Sequence, residues 1–189
     1  MKITSAKFIK GIVGRDKVLE DGLPHIAIIG RSNVGKSSTI NSLVKQKDLV
    51  RVSSFPGRTR QINIFLINKS FYLADLPGYG FSVGSKDDQL RLHELINWYL
   101  FLSGFEQKLV VLIIDAFIGP TDKDVEILRA LEEHNKNIII AANKIDKIKK
   151  SGYQNQMEKI RDMVGNHKVI PYSAKTKIGL EDLVKEIMP

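Results

Sequence analysis

Lys36 and Ser37 close the stretch GRSNVGKS, residues 30–37, and Asp75 opens DLPG further along. A lysine, a hydroxyl and a carboxylate are the groups that hold a polyphosphate with a divalent ion. The ammonium reaches the β- and γ-phosphates, the hydroxyl ligates Mg2+, and the carboxylate holds the ion through a water. The first stretch fits G-x-x-x-x-G-K-[ST] after an apolar run and before a helical pattern. Its glycines let the chain wrap a phosphate with N–H groups pointing inward, and a helix starting here adds a positive dipole end. Gly30, Arg31, Ser32, Asn33, Val34, Gly35, Lys36, Ser37 and Ser38 are the candidate phosphate contacts.

In DLPG, residues 75–78, Asp75 is the candidate Mg2+ carboxylate, and the Gly78 N–H is the candidate γ-phosphate contact, with Leu76 and Pro77 between them. D-x-x-G alone occurs by chance in many chains; its place after a strand-like run gives it weight. Between the two motifs lies RVSSFPGRTRQ, residues 51–61, where Pro56 and Gly57 break regular structure. A loop here that orders around γ-phosphate and Mg2+ would be a switch. Gly57, Arg58 and Thr59 are its candidate nucleotide contacts, with Thr59 as the second protein ligand of Mg2+ and Ser53 and Ser54 as alternatives.

Two further stretches select the base. In NKID, residues 143–146, the Asp146 carboxylate can accept hydrogen bonds from guanine N1–H and its exocyclic amine. Adenine lacks that donor pair and would leave the carboxylate desolvated and unpaired. Asn143 is expected to brace the loop and face the base, and the Lys144 stem to cover the ring. YSAK adds Tyr172, Ser173, Ala174 and Lys175, with the Ser173 and Ala174 amides placed to donate to guanine O6. An ordinary turn accounts for either stretch alone. All four in this order, each at the end of an apolar run, point to a guanine-nucleotide site.

The elements that must position these residues are legible as short apolar runs at 25–30, 62–68, 71–76, 109–115, 137–143 and 168–172. Runs of this length, bounded by polar or turn residues, read as strands buried on both faces. Helical patterns cover 37–45, 87–102, 124–134 and 180–188. The alternation predicts an α/β fold: a mostly parallel sheet of about six strands with helices on both faces. Only NKS separates 62–68 from 71–76, which forces a hairpin and hence one antiparallel strand. Ligands of such sheets sit at the carboxyl ends of the strands, where all four motifs fall. No repeat, low-complexity tract or linker divides residues 1–189, which read as one domain.

Composition narrows the rest. The 189 residues are 43% apolar and contain no cysteine, which excludes disulfides, a thiol nucleophile and Cys-bearing zinc sites. No run approaches the roughly 20 apolar residues that cross a bilayer, and MKITSAKFIKGIVGRDK lacks a signal-peptide core, so the expectation is a cytoplasmic protein with no membrane partner. Net charge is +8, which favours a polyanionic partner. The excess is uneven: nine basic residues lie in 144–177 against Asp146, Glu158 and Asp162, while 115–133 holds six acids against Lys123 and Arg129. A solvated basic face explains this as well; its one-sidedness favours RNA.

GRSNVGKSS, FPGRTR and DLPGYGF together resemble the EngB/YihA/YsxC family of P-loop GTPases, in the translation-factor-related class. The likeness covers roughly 25–188, and residues 1–24 are similar to that family's short N-terminal extension, with one added strand near Ile3 to Lys10. It implies a P-loop NTPase G domain over 25–188: a monomeric GTPase that hydrolyses GTP to GDP and phosphate with Mg2+. It also implies a role in late assembly of the large ribosomal subunit, through rRNA or ribosomal protein, with a link to cell division and septation. Two positions depart from the family pattern: NKID replaces the usual Thr-Lys-x-Asp, and Phe117 stands where an arginine is usual.

Tyr79 occupies the place where small signalling GTPases carry the glutamine that orients the attacking water. An aromatic ring cannot do that, so hydrolysis is expected to be slow until a partner or another group completes the site. Asn33 matches P-loop asparagines of K+-using GTPases and is a candidate K+ ligand, its alternative role being support of the loop. Lys36, Thr59, Gly78 and Asn33 form the expected catalytic set, and Tyr79 is expected on the surface facing a partner. The competing readings are a Ras-like switch with a protein effector and a nucleotide-gated scaffold without useful turnover.

Overall fold

The computed structural model describes residues 2–45, 61–80 and 85–188. Seven strands form one sheet in the order β1-β3-β4-β2-β5-β6-β7: β1 Ala6–Ile12, β2 His25–Gly30, β3 Ile62–Ile67, β4 Phe71–Asp75, β5 Leu109–Asp115, β6 Ile138–Asn143 and β7 Lys168–Pro171. Only β3 runs against the others, pairing antiparallel with β1 on one side and β4 on the other. The strand near Ile3 to Lys10 is thus present as β1, shifted a few residues on, and raises the six apolar runs to seven strands. β1 lies at the sheet edge with one buried residue, Ile12, and the others partly or fully exposed, which is why it does not read as an apolar run; Lys7 and Lys10 discourage further pairing there.

The helices are α1 Lys36–Leu43, α2 Lys86–Asn97, α3 Asp122–Glu133, α4 Tyr153–Val164 and α5 Leu180–Ile187. Alternation along β2 explains its unbroken apolar run. Ile26 and Ile28 pack with Ile40 and Leu43 of α1 and Leu183 and Ile187 of α5. Ala27 and Ile29 belong to the opposite core with Leu95, Leu128, Leu131, Met157 and Ile160 of α2, α3 and α4. Helices therefore cover both faces. Residues 98–102, expected to continue α2, form a π-helical turn instead. Sequence reading did not single out α4, whose buried stripe Met157, Ile160 and Val164 is hidden among Glu158, Lys159, Arg161 and Asp162.

The β3–β4 hairpin turns through Asn68 and Lys69, both with positive φ (48° and 55°), and closes with Ser70 N donating to Ile67 O at 2.9 Å. Positive φ at both central positions gives the twist that matches paired strands. It brings Asp75 at the end of β4 beside β2, in register with Ile28, and so next to the phosphate loop.

At the opposite end of β2, His25 is fully buried. Its ring packs on Tyr72 and edge-on to Phe105, with centroids 4.8 and 4.4 Å away. Nε2 lies 3.3 Å from Val18 O and Nδ1 lies 3.2 Å from Tyr99 Oη. A neutral ring fits both contacts if Nε2–H donates to the carbonyl and the phenol donates to Nδ1. Burial pushes the imidazole down from 6.5 to about 4. Because the unfolded chain takes up this proton first, folding stability falls as pH drops from about 6.5 to about 4, by on the order of 3 kcal/mol. Urea denaturation between pH 7 and 4.5 should show this loss in the native chain and a flatter dependence in His25→Phe; parallel curves would mean the ring is not held neutral.

Candidate guanine-nucleotide site

Gly30 ends β2 against β5, where a Cβ would stand 2.7 Å from Ile113 O and 2.9 Å from Val34 Cγ1. Gly35, at φ +98°, admits the turn into α1, and a Cβ there would fall onto the Asn143 amide. Val34 is buried, anchoring the loop beneath the site. Lys36 and Ser37 thus enter on the first turn of α1 and Ser38 follows. Asn33 is exposed with φ +65°, a conformation asparagine tolerates better than most residues.

Asp75 is 1% exposed. Its Oδ1 pairs with Lys36 Nζ, while Oδ2 has no hydrogen-bond partner. An orphaned carboxylate oxygen at this depth is rare and asks for an ion or an ordered water. That fits Mg2+, a hard cation that binds through one or two protein oxygens and keeps several waters. Ser37 and Asp75 would hold it; Thr59, with Gly57 and Arg58, lies outside the described residues.

Beyond Asp75 the chain stays tied to the loop. Leu76 N donates to Ile28 O at 3.0 Å, and Leu76 and Pro77 are buried. Gly78 passes Ser32 so closely that a Cβ would lie 2.9 Å from Ser32 Oγ and 3.2 Å from its backbone. Tyr79 O then accepts from Ser32 N at 2.9 Å. Against expectation, Tyr79 is not a surface residue. It is 8% exposed, and its hydroxyl donates to Asp124 Oδ1 at 2.6 Å. Burial, then the Asp124 carboxylate, push the phenol far above its ordinary value. It stays protonated and serves as a donor, not a base.

The base-reading corner is built from strand ends β6 and β7. Asn143, buried, donates from Nδ2 to Val34 O at 2.8 Å and accepts at Oδ1 from Ala174 N at 3.0 Å. Lys144, at φ +68°, sends Nζ to Asn33 O (2.8 Å) and to Asp115 Oδ2 (2.7 Å). Its stem is therefore stretched between two loops at the rim. Asp146 is exposed, with Oδ1 fixed by the Ser173 hydroxyl at 2.6 Å, which leaves Oδ2 toward solvent chemistry.

Two assignments in the last loop need correction. The Ser173 amide donates to Ile178 O at 3.0 Å and the Ala174 amide to Asn143, so both are engaged within the protein. Among the described residues, the N–H of this turn without an acceptor is that of Lys175. Tyr172 is fully buried in the core with α1 and α5; its carbonyl accepts from Ile145 N at 3.4 Å. It supports the NKID loop and does not present its ring to a ligand. Sequence reasoning also passed over Asp115. It ends an unbroken apolar strand and pairs in register with Asn143, the signal by which its hold on Lys144 was readable.

With this geometry in place, comparison with known proteins becomes decisive. The family model of 50S ribosome-binding GTPases matches residues 25–144, and that of the elongation factor Tu GTP-binding domain matches 104–189. The probable GTP-binding protein EngB of Clostridium perfringens is 41% identical over 187 residues, covering 97% of this chain and 94% of that protein. The chain belongs to the EngB family of GTP-binding proteins. A crystal structure of a probable GTP-binding protein EngB aligns with TM-score 0.69 at 30% identity, over 86% of this chain and 96% of its own. Era, in complex with MgGDPNP and nucleotides 1506–1542 of 16S ribosomal RNA, aligns with TM-score 0.71 at 27% identity, over 87% of this chain and 55% of Era. As an EngB-family P-loop GTPase, the chain binds guanine nucleotide and hydrolyses GTP.

Asp146→Asn exchanges a double acceptor for an amide that matches the xanthine edge. GTP affinity should fall by at least about tenfold, the cost of one lost charge-assisted hydrogen bond, while xanthosine triphosphate affinity rises. Titration with both nucleotides checks this; unchanged GTP affinity would remove Asp146 from base recognition.

Proposed function

We propose that this GTPase is a slow switch that docks on the large ribosomal subunit in its GTP form and leaves after hydrolysis. The observation that carries the ribosomal part is the continuity between the base-reading loop and a basic surface. Asp146 is followed by Lys147, Lys149 and Lys150, all exposed and without an ion-pair partner among the described residues. Lys159 and Arg161 extend this charge along α4, and Lys175 is exposed in the last loop. Such a surface suits rRNA phosphates, contacted without regard to sequence and weakened by salt. The 50S-binding description of the matching family model and the rRNA in the Era complex support the same direction. A link to cell division and septation belongs to the same proposal, whether direct or by way of failed ribosome supply. In this proposal the protein acts as a cytoplasmic monomer with no membrane partner.

In this reading Lys36 moves its charge from Asp75 to the β- and γ-phosphates, and the free Gly78 N–H meets the γ-phosphate. Mg2+ supplies neutralisation of the charge that develops on the transferred phosphoryl group. Asn33, whose side chain has no partner among the described residues, offers its amide oxygen to K+. Tyr79 is turned away from the attacking water, so the chain alone hydrolyses slowly.

Single-turnover hydrolysis in K+ buffer, with and without purified large subunits, tests this. Subunits should accelerate the reaction, and Na+ in place of K+ should slow it. No acceleration together with no GTP-dependent association would remove the ribosome from the reading and leave the GTPase intact. Replacing Lys147, Lys149 and Lys150 by Gln should lower subunit affinity and flatten its log–log salt slope by roughly 2 to 3; an unchanged slope would place the contact elsewhere.

A further inference from the structure

Tyr79 is held at both ends. Its carbonyl accepts from Ser32 N in the phosphate loop at 2.9 Å, and its hydroxyl donates to Asp124 at 2.6 Å. Asp124, 2% exposed, is itself fixed. Its second oxygen takes the Thr121 N–H and hydroxyl at 2.8 and 2.7 Å, closing the capping box that starts α3. Every polar atom of this pair that faces the protein is therefore used, and the pair links the first turn of α3 to the phosphate loop. Gly78 immediately precedes the doubly held Tyr79 and lies against Ser32, with an N–H that has no acceptor among the described residues. An amide left free beside the phosphate loop is useful for binding only if its direction is set before the ligand arrives. Gly78 has no side chain to set it.

We propose that Tyr79 is a positioning residue that, anchored on Asp124, sets the Gly78 N–H for the γ-phosphate of GTP. The position that carries a water-orienting glutamine in other GTPases here carries a strut. The inference rests on GTP binding by the loop and goes beyond it, because GDP makes no use of the Gly78 amide. The pair thus contributes to discrimination between triphosphate and diphosphate, and it works from the far side of the site. Thr121, at the start of α3, belongs to the same hydrogen-bonded unit, so displacement of that turn is transmitted to Gly78.

The test is Tyr79→Phe, which keeps the ring in its packing and removes only the hydroxyl, alongside Asp124→Asn. Affinities for GDP and for a non-hydrolysable GTP analogue are measured with single-turnover GTP hydrolysis and thermal melting. Affinity for the GTP analogue should fall about tenfold in Tyr79→Phe with GDP affinity within about twofold, and hydrolysis should slow. Asp124→Asn should shift the same ratio, and the double variant should add little, because both remove one contact. Equal losses for GDP and the analogue, tracking a lowered melting temperature, would reduce the pair to a structural contact and overturn the proposal. So would an unchanged ratio, or a gain in analogue affinity, which would mean the pair holds Gly78 away. A native chain that bound neither nucleotide would instead overturn the GTPase reading itself.

Discussion

The Asn143 side chain is the tie on which the rest of the site depends. Its amide nitrogen holds the phosphate loop through Val34 O, and its oxygen holds the last loop through Ala174 N. Three strand ends, β2, β6 and β7, are thereby fixed to one another by one buried carboxamide that donates once and accepts once. The interaction needs room, which Gly35 provides by having no Cβ where the amide lies. Phosphate binding and base recognition are often treated as separate functions of a P-loop, yet here one amide sets the distance between them. A side chain without the amide N–H at 143 would give up the hold on Val34 O, which has no other partner among the described residues; an oxygen there could still accept from Ala174 N.

Charge is organised around the same strand ends. Asp75 and Asp115 end β4 and β5 and are almost completely buried, and each holds a lysine, Lys36 and Lys144 respectively. Taking carboxylates this deep costs several kcal/mol each, and only a close cation offsets it. The pairs are therefore poor contributors to stability but effective at placing two ammonium groups where phosphate and base arrive. Lys144 has a further acceptor in Asn33 O, so its position is set independently of any nucleotide. Asp75, by contrast, keeps one oxygen unused, and a second cation is what would complete it.

The parts legible in the sequence were those whose burial leaves a repetitive trace. Strands covered on both faces must be apolar throughout, and β2, β5 and β6 announced themselves together with the motifs at their ends. β1 and α4 lack such a trace. β1 is a partly exposed edge carrying Lys7 and Lys10, and α4 buries only one narrow stripe under a strongly charged exterior. Side-chain and amide partners were less legible still. Whether the Ser173 and Ala174 amides are free depends on Ile178 O and Asn143 Oδ1, which nothing in YSAK specifies. The sequence alone suggests Tyr79 as a surface residue contacting a partner. What buries it is Asp124, 45 positions later, in a helix whose first turn reads only as a capping sequence.

That contact explains an imbalance in the site. The candidate binding side chains are fixed by the chain itself: Asp75 on Lys36, Asp115 on Lys144, and Asn143 on Val34 and Ala174. The group that would orient water is missing from position 79, and its replacement, a neutral phenol pointing into α3, cannot be recruited without breaking a buried hydrogen bond to a carboxylate. Leaving the buried Asp124 Oδ1 without its donor, with only Oδ2 still held by Thr121, would cost more than an exposed side chain would when it swings. Position 79 is thus committed to holding the backbone, and whatever accelerates hydrolysis must come from elsewhere. The loop 116–121 is well placed to matter. Asp115 Oδ1 accepts from Phe117 N, and its other oxygen holds Lys144, while Thr121 at the loop's end holds Asp124. The loop 116–121, with Phe117 and Ile118 exposed, is therefore bonded to Lys144 through Asp115 and to Tyr79 through Asp124, so a push on it is felt at both side chains.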